Sequence, residues 1–350
     1  MHFRIVGAGL AGLLARRLLT TSGHTCQVFE KQDYLPNNHS AVLRFRSSIV
    51  GDATGIPFKK VRVMRAVDPW RNALADNLAY SLKATGVASM RSSLTSEPGL
   101  VDRYIAPPDF IQLLYVSPPV QSGDYHYCVD FFSNDEWSGD EPIISTIPMP
   151  ILMDALQGPS GPAELHDFRS VPGFNVSFTL PGIDVYGSVY IPDPSILWNR
   201  VSITGNKVIL EYSDVKPNAA NTILRSFAQG PFDEVIANKL VSLVEDAMAI
   251  LGLDGYAPTR HIIAGSEYGF SVKQSTYQKI LPIDEDKRRR FMLWASEEHN
   301  IYSLGRFATW RPGLLLDDLV KDIRIIERMA AGDAYHRRIH ASTAIPFPGY

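Results

Sequence analysis

Two different spacings of apolar positions occupy the first thirty residues. Phe3 to Val6 form a short apolar run that predicts a buried strand, and the leucines from Leu13 to Leu19 recur at helical spacing. The stretch TCQVFE then returns as a second strand that ends at Glu30. The pattern therefore predicts a strand, a helix and a second strand in immediate succession.

The middle of the chain alternates in the manner of strands. Between Leu165 and Tyr212, the stretches FNVSFTL, VYGSVYIP, NRVSITGN and KVILEYS are separated by Pro-Gly, Pro-Asp-Pro and Gly-Asn breaks. They predict an antiparallel sheet, and NAANTILRSFAQ and FDEVIANKLVSLVEDAMAIL predict two helices that pack nearby. Near the C-terminus, Ile301 to Leu304 predict a strand and a long amphipathic helix begins at about Leu316.

A glycine-rich turn joins the first strand to the first helix. In this GxGxxG pattern, Gly7 makes the tight turn, Gly9 lets a pyrophosphate approach the backbone, and Gly12 lets helix and strand pack closely. Glu30 is placed to accept hydrogen bonds from a ribose. Nicotinamide and FAD enzymes share this pattern. The candidate cofactor-binding residues here are Gly7, Ala8, Gly9, Leu10, Ala11, Gly12, Glu30 and Lys31.

Composition restricts the remaining possibilities. The 350 residues are 45% hydrophobic, with a formal net charge of −3 and a pI near 6.3, which argues against binding nucleic acid or membranes by bulk charge. Two cysteines give neither a disulfide framework nor metal-ligand spacing, so we expect a reducing, cytoplasmic setting and no metal. The N-terminal apolar run is too short and too interrupted for a membrane span.

Three further stretches carry a family resemblance. HSAVLRFRS resembles the arginine-bearing segment of p-hydroxybenzoate hydroxylase-type flavoproteins, and EPIISTIPMPILMDAL resembles the element by which flavin amine oxidases return to the FAD domain. SLGRFATWRPGLLLDD resembles the third flavin motif of the UDP-galactopyranose mutase and amine-oxidase superfamily. The resemblance implies FAD as cofactor and adds Arg44, Arg46, Gly305, Arg306, Gly313, Leu314, Leu315 and Asp317 to the cofactor-binding candidates.

Two of these assignments keep an alternative. Arg44 and Arg46 stand at alternating positions, so the alternative is that they line the solvent face of a strand; arginine rather than lysine at both positions favours the phosphate contact. Asp317 matches a ribityl contact only if one residue is inserted, and otherwise it is an acid in the first turn of a helix.

The resemblance also implies an architecture. We expect an α/β fold in which a Rossmann-like, glutathione-reductase-type FAD domain carries an inserted substrate domain of antiparallel sheet and helices. The FAD domain is assigned to residues 1–70, 120–160 and 290–350, and the substrate domain to 71–119 and 161–289. Catalytic candidates are Trp310, Lys273 and Tyr268, and Trp310 fits core packing equally well. Other pocket candidates are Tyr186, Tyr190, Trp198, Asn199, Arg200 and Tyr277.

The whole pattern resembles FAD-dependent proteins of tailed bacteriophages, some of which take part in thymine hypermodification of phage DNA. That resemblance implies oxidation of an amino acid such as glycine attached to the 5-methyl carbon of uracil, which leaves an aminomethyl base, in the host cytoplasm. The substrate is expected to be modified DNA or a small amine. Alternatives are a sugar-nucleotide mutase, a flavin monooxygenase with a phenolic or amine acceptor, and a flavin-retaining structural or binding protein. DEDKRRRF is expected to be a solvated turn, and the candidate DNA contacts are Lys59, Lys60, Arg62 and Arg288 to Arg290.

Overall fold

The computed structural model describes residues 1–33, 42–90, 94, 98–116, 123–133, 140–156, 168–215, 219–229, 234–256, 258–281 and 283–332. Its strands are β1 (His2–Val6), β2 (Thr25–Phe29), β3 (Arg44–Phe45), β4 (Lys59–Val67), β5 (Gly99–Ile105), β6 (Tyr125–His126), β7 (Ile143–Ser145), β8 (Ser170–Thr179), β9 (Val185–Tyr190), β10 (Arg200–Gly205), β11 (Lys207–Ser213), β12 (Ser271–Ile280) and β13 (Ile301–Ser303). Its helices are α1 (Leu10–Thr21), α2 (Ile49–Thr54), α3 (Ala73–Thr85), α4 (Phe110–Val116), α5 (Met149–Leu156), α6 (Ala219–Gln229), α7 (Glu234–Ile250), α8 (Thr259–Ala264), α9 (Glu285–Glu298) and α10 (Leu316–Ala330).

The first sheet is parallel and has the order β13-β7-β1-β2-β6. Side chains of β1 alternate between its two faces, as the pleat requires. Phe3 and Ile5 join a core formed with α1, α4 and α10, and Val6 joins a second core formed with α5 and α9. Helices therefore cover both faces, which is the three-layer arrangement of a Rossmann-like domain.

The second sheet has eight strands in the order β12-β8-β11-β10-β9-β4-β5-β3. Its pairs are antiparallel, apart from the parallel pair of β4 and β9. Even-numbered residues of β8, such as Phe174, Val176 and Phe178, pack in one core with residues of α6, α7 and α8. The odd-numbered residues Asn175 and Ser177 occupy the opposite face, which gives this sheet one apolar and one polar side.

The predicted fold class is confirmed: a Rossmann-like parallel sheet is combined with a second, largely antiparallel sheet. The four strands predicted between Leu165 and Tyr212 are β8 to β11, and both predicted helices are present as α6 and α7. EPIISTIPMPILMDAL returns the chain to the first sheet, because β7 pairs with β1.

Three segments differ from the sequence-based assignment. Strands β3 and β4, inside the range given to the FAD domain, pair with the second sheet, while α4, given to the substrate domain, packs against α1. The prediction of a solvated turn at DEDKRRRF was wrong. Asp284 accepts a hydrogen bond from Asp286 N–H and caps α9, whose first turns contain the basic run.

Candidate functional site

The turn between β1 and α1 is closed on one side and open on the other. Gly7 has φ +100°, and a Cβ atom there would lie 2.3 Å from Thr146 Oγ1. A Cβ at Gly12 would lie 2.0 Å from Gly7 O, so helix and strand touch only because both residues are glycine. At Gly9 a Cβ would meet no atom within 4 Å, and the residue is exposed. A ligand can therefore approach the backbone at Gly9.

Helix α1 begins at this open end of the turn. Its N-cap residue, Gly9, provides no side chain to the first N–H groups, and the first turn, which starts with Leu10 and Ala11, contains no acid. Unpaired N–H groups and the positive end of the helix dipole both favour an anion at such a position. The local structure is therefore suited to a phosphate.

The Glu30 carboxylate also contacts the turn. Its Oε2 accepts a hydrogen bond from Ala8 N–H at 2.8 Å, and its Oε1 accepts one from Gln32 N–H at 3.1 Å. A carboxylate offers about four acceptor positions, so two remain available for ribose hydroxyls. The neighbouring Lys31 ammonium is instead paired with Asp130 at 2.7 Å, and both side chains are exposed.

The C-terminal motif lies directly against this turn. Gly305 has φ +102°, and a Cβ there would lie 3.2 Å from the Cβ of Ala11 in the first turn of α1. The Arg306 guanidinium donates through Nε and Nη2 to Leu314 O, at 3.1 and 3.0 Å, and so closes the loop that follows. Two segments almost three hundred residues apart in sequence are thus brought together around the start of α1.

The loop from Gly313 leads into α10. Gly313 is exposed, and Leu315 N–H donates to the Asp318 carboxylate at 2.9 Å, which caps the helix. Asp317 Oδ1 accepts hydrogen bonds from Ser47 N–H and Oγ, at 3.0 and 3.1 Å. Its other oxygen, Oδ2, is buried without a hydrogen-bond partner among the described residues. Asp317 therefore keeps one unused acceptor beside the predicted ribityl position.

The two arginines of β3 and its neighbouring loop point to different partners. Arg46 forms an ion pair with Asp318 at 3.0 Å, which ties it to the start of α10. Arg44 crosses to β9 and β10, where its guanidinium donates to Ser188 Oγ and Thr204 Oγ1 at 2.9 Å each and to two backbone carbonyls. The structure brings Arg46 to the predicted cofactor loop, and it brings Arg44 to the second sheet.

The strand register of the second sheet assembles a polar surface. Partner residues on adjacent strands lie on the same face, so the pairing of Asn175 with Glu211, Glu211 with Arg200 and Arg200 with Tyr190 forms one row. A parallel row contains the remaining polar partners Ser177, Ser202, Ser188 and Arg65. We call this surface, on β8 to β11 and β4, the polar face.

An ion triad centred on a buried carboxylate lies on the polar face. Glu211, only 6% exposed, pairs with Arg200 and with Lys279, whose Nζ lies 3.1 Å away. Burial raises the pKa of Glu211, but Arg200 and Lys279 outweigh it and lower that pKa to about 2. The Arg200 guanidinium also lies 5.7 Å from the centre of the Tyr190 ring. The triad carries a net positive charge near neutral pH.

The three catalytic candidates lie in different surroundings. Trp310 is 1% exposed, donates from Nε1 to Leu281 O at 3.0 Å and packs in the core beside α5 and α9. This placement favours core packing over a pocket wall. Tyr268 packs against the core on the helical side of the second sheet. Lys273 pairs in register with Asn175, at the edge of the polar face.

The other candidates divide in the same way. Tyr186, Tyr190 and Arg200 lie on the polar face, whereas Trp198 is buried on the opposite side and donates from Nε1 to Leu243 O at 2.8 Å. Buried Asn199 donates to Ser213 Oγ, and Tyr277 packs against Phe307 and Trp310.

Arg288 contradicts its assignment as a DNA contact. It is fully buried and donates to Glu285 and Thr309 O, because its helix packs against the first sheet. Two of the other proposed DNA contacts are engaged in ion pairs at the surface, Lys59 with Asp184 and Lys60 with Asp102.

Sequence reasoning missed two parts of this site. Thr146 Oγ1 donates to Val6 O at 2.9 Å and packs against Gly7; it lies in the EPIISTIPMPILMDAL motif but was not among the predicted site residues. The ion triad was also missed, although the alternation of β10 and β11 placed Arg200 and Glu211 on the polar side. Within the described ranges, no group of three His, Cys, Asp or Glu residues could hold a metal, and no helix there is long and apolar enough to cross a membrane.

Comparison with known proteins supports this architecture. Residues 5–40 match the family model of the NAD(P)-binding Rossmann-like domain, and no curated protein matches the chain. A structure of reduced UDP-galactopyranose mutase is similar at 13% identity, covering 98% of each chain, with a TM-score of 0.63. A putrescine oxidase triple mutant is similar at 12% identity over 95% of this chain and 98% of that one, with a TM-score of 0.52. A protein described as an FAD-containing monooxygenase, from Photorhabdus luminescens subsp. laumondii, is similar at 11% identity over 98% and 94%, with a TM-score of 0.50. The chain therefore has the two-sheet α/β fold of FAD-dependent oxidoreductases.

Proposed function

We propose that this chain binds FAD and uses it to oxidise a C–N bond of an amine substrate. The observation that carries the proposal is the close approach of Gly305 to Ala11, where a Cβ on Gly305 would lie 3.2 Å from that of Ala11; it places the C-terminal motif beside the glycine turn. A cofactor that spans both segments fits this arrangement better than a short nucleotide bound at the turn alone. FAD, when bound, supplies a hydride acceptor for the carbon next to nitrogen.

The residues at the turn fit the adenosine and diphosphate parts of FAD. The open backbone at Gly9 and the uncapped start of α1 would hold the diphosphate, and the two free acceptor positions of Glu30 would hold the ribose. Asp317 Oδ2, buried without a partner among the described residues, is available to a ribityl hydroxyl. These contacts bind and orient the cofactor, and they do not define the substrate.

The polar face is the proposed substrate surface. Asn175, Ser177 and Thr204 are half-buried there, so they remain accessible to a ligand while surrounded by protein. Hydroxyl and amide groups can hydrogen-bond a polar substrate and orient it without transferring protons themselves. The resemblance to phage flavoproteins favours an amino acid such as glycine, attached to the 5-methyl carbon of uracil in DNA, as that substrate.

Anaerobic absorption spectroscopy tests both parts of the proposal. We expect the purified protein to retain FAD and show the yellow flavin spectrum, and to bleach when a duplex with glycine-modified thymine is added. The matched control is the same duplex with unmodified thymine, which should leave the spectrum unchanged. A colourless protein that FAD cannot reconstitute would refute cofactor binding. A yellow protein that the modified duplex does not bleach would refute the proposed substrate.

Salt dependence tests the nucleic-acid part separately. Binding through phosphates should weaken about tenfold or more between 50 and 200 mM salt, because counterions released from DNA oppose association. Exposed Arg62 and Arg290 are the cations available for such contacts. A salt-independent affinity for the duplex would remove DNA from the proposal and leave a small amine as substrate.

One observation favours a second candidate, a sugar-nucleotide mutase. The chain and the UDP-galactopyranose mutase structure cover 98% of each other with a TM-score of 0.63, against 0.52 for the putrescine oxidase. A mutase interconverts sugar isomers without net oxidation. We would incubate the dithionite-reduced protein with UDP-galactopyranose and separate the products by chromatography. Ring isomerisation with reduced protein only would favour the mutase over the amine oxidase.

A further inference from the structure

Arg44 is a cation surrounded by neutral oxygens. Its hydrogen bonds go to the hydroxyls of Ser188 and Thr204 and to the carbonyls of Gly187 and Ile203, at 2.5–2.9 Å. Its hydrogen-bond partners in the described part of the chain include no carboxylate. A guanidinium has five N–H groups, and these four bonds leave one N–H on Nη1 for another acceptor. A partly buried charge without a counter-ion is costly unless a ligand supplies the opposite charge.

Two other arginines reinforce the positive charge at this position. The pKa of Arg44 is lowered to about 9. Burial is the main cause, and the nearby Arg200 and Arg103 cations contribute to the same decrease. Burial and the Arg65 cation likewise lower the pKa of Arg103. Of the acids nearby, Glu211 is shared between Arg200 and Lys279. The cluster of Arg44, Arg103 and Arg200 thus forms a positive region that protein carboxylates only partly neutralise.

The cluster is separate from the diphosphate position at α1. Arg44 and Arg200 reach the polar face on β9 and β10, whereas the glycine turn lies in the first sheet. Arg103 lies on the same face as Arg44, because Ile105, two residues further along β5, is the register partner of Arg44, and Arg46 pairs with Asp318 at the start of α10. The cluster therefore lies at the end of the polar face that adjoins the C-terminal motif.

We propose that Arg44, Arg103 and Arg200 bind an anionic oxoacid group of the substrate, a carboxylate or a phosphate, on the polar face. This inference rests on the proposed function, because it assigns the substrate class of the same site. Guanidinium groups bind carboxylate and phosphate oxygens through charge-assisted N–H hydrogen bonds, and Arg44 has one N–H available for such a bond. The site would hold the anionic group at the end of the polar face nearest the C-terminal motif and so fix the direction of the substrate.

Calorimetric titration of the FAD-loaded protein tests the site with two probes, inorganic pyrophosphate and N-acetylglycine. Arg103→Gln should weaken binding of whichever probe the wild type takes by about 10- to 100-fold, the loss expected for one charged hydrogen bond or pair. Arg44→Lys keeps the charge but loses the forked donor geometry and should also weaken it. The matched control is Lys60→Gln, which removes one positive charge from the neighbouring strand on the opposite face, where Lys60 pairs with Asp102 at 2.8 Å. Each variant is checked for an unchanged melting temperature and flavin spectrum.

The outcomes separate this inference from the proposed function. Weaker binding in Arg103→Gln, with the control unaffected, supports the site, and the probe that binds distinguishes phosphate from carboxylate. Three results would overturn it: binding of neither probe, equal weakening in Arg103→Gln and Lys60→Gln, or pyrophosphate binding that disappears when FAD is loaded. The last result would place the anion at α1. In each case the retained flavin spectrum reports independently on cofactor binding.

Discussion

Replacing Glu211 with glutamine should destabilise the protein more than a surface substitution that also removes one negative charge. The carboxylate is 6% exposed and is shared between Arg200 and Lys279. The amide removes the negative charge and leaves two cations facing each other in a largely buried place. Loss of one partner from a buried ion pair costs about 3–5 kcal/mol.

The pKa of Glu211 gives an independent magnitude. Burial raises it, but Arg200 and Lys279 lower it from the ordinary 4.5 to about 2. Each pKa unit corresponds to about 1.4 kcal/mol, so the carboxylate stabilises the folded state by about 3 kcal/mol. Because the folded pKa is depressed, this stability is present above pH 4.5 and is lost as the pH falls through about 2.

Urea unfolding at pH 7 and at pH 3, followed by circular dichroism, measures the effect. The Glu211→Gln variant should lose about 3 kcal/mol at pH 7, and the difference from wild type should shrink at pH 3. Asp184→Asn is the control, because its pair with Lys59 is 61–63% exposed and contributes at most about 1 kcal/mol. Equal losses in the two variants, or a Glu211 effect that does not change with pH, would refute the reasoning.

Three other changes should have distinct effects. Gly12→Ala should lower the free energy of unfolding in urea by about 1–3 kcal/mol, because its Cβ would meet Gly7 O. Gly9→Ala should leave stability unchanged and weaken FAD binding about tenfold in a flavin titration, because a backbone contact with the cofactor is lost. Equal losses of stability in the two variants would contradict this. Burial raises the pKa of Cys26 to about 11, so a thiol reagent at pH 8 should label only exposed Cys128 in the native protein and both thiols after denaturation. Trp310→Phe should lower the free energy of unfolding by about 1–3 kcal/mol, because Leu281 O loses its hydrogen-bond donor, and it should leave the flavin absorption spectrum unchanged. An altered spectrum would instead favour Trp310 as a wall of the flavin pocket.

Local patterns predicted the elements of this fold well. The glycine spacing and the apolar run before it identified β1, the turn and α1, because a tight turn and a close helix contact each require glycine at a fixed position. The alternation of β8, β10 and β11 also contained the polar face, since Asn175, Arg200 and Glu211 all stand on the polar parity of their strands. What the alternation could not supply was which strands pair and in what register.

Arg44 shows where this limit lies. Its position in an alternating stretch allowed both a cofactor contact, which the choice of arginine favoured, and a solvent-facing strand residue. Its actual partners, Ser188 and Thr204, are more than a hundred residues away and belong to β9 and β10, which lie in the same sheet as β3 but are not its direct neighbours. The interpretation of Arg44 as a flavin contact followed the motif, whereas the long-range pairing directs its charge to the polar face. The contacts of Arg44 therefore depend on the long-range arrangement of strands and need the structure, whereas the tight turn at Gly7 and Gly12 depends on the local backbone and is predicted by the glycine spacing.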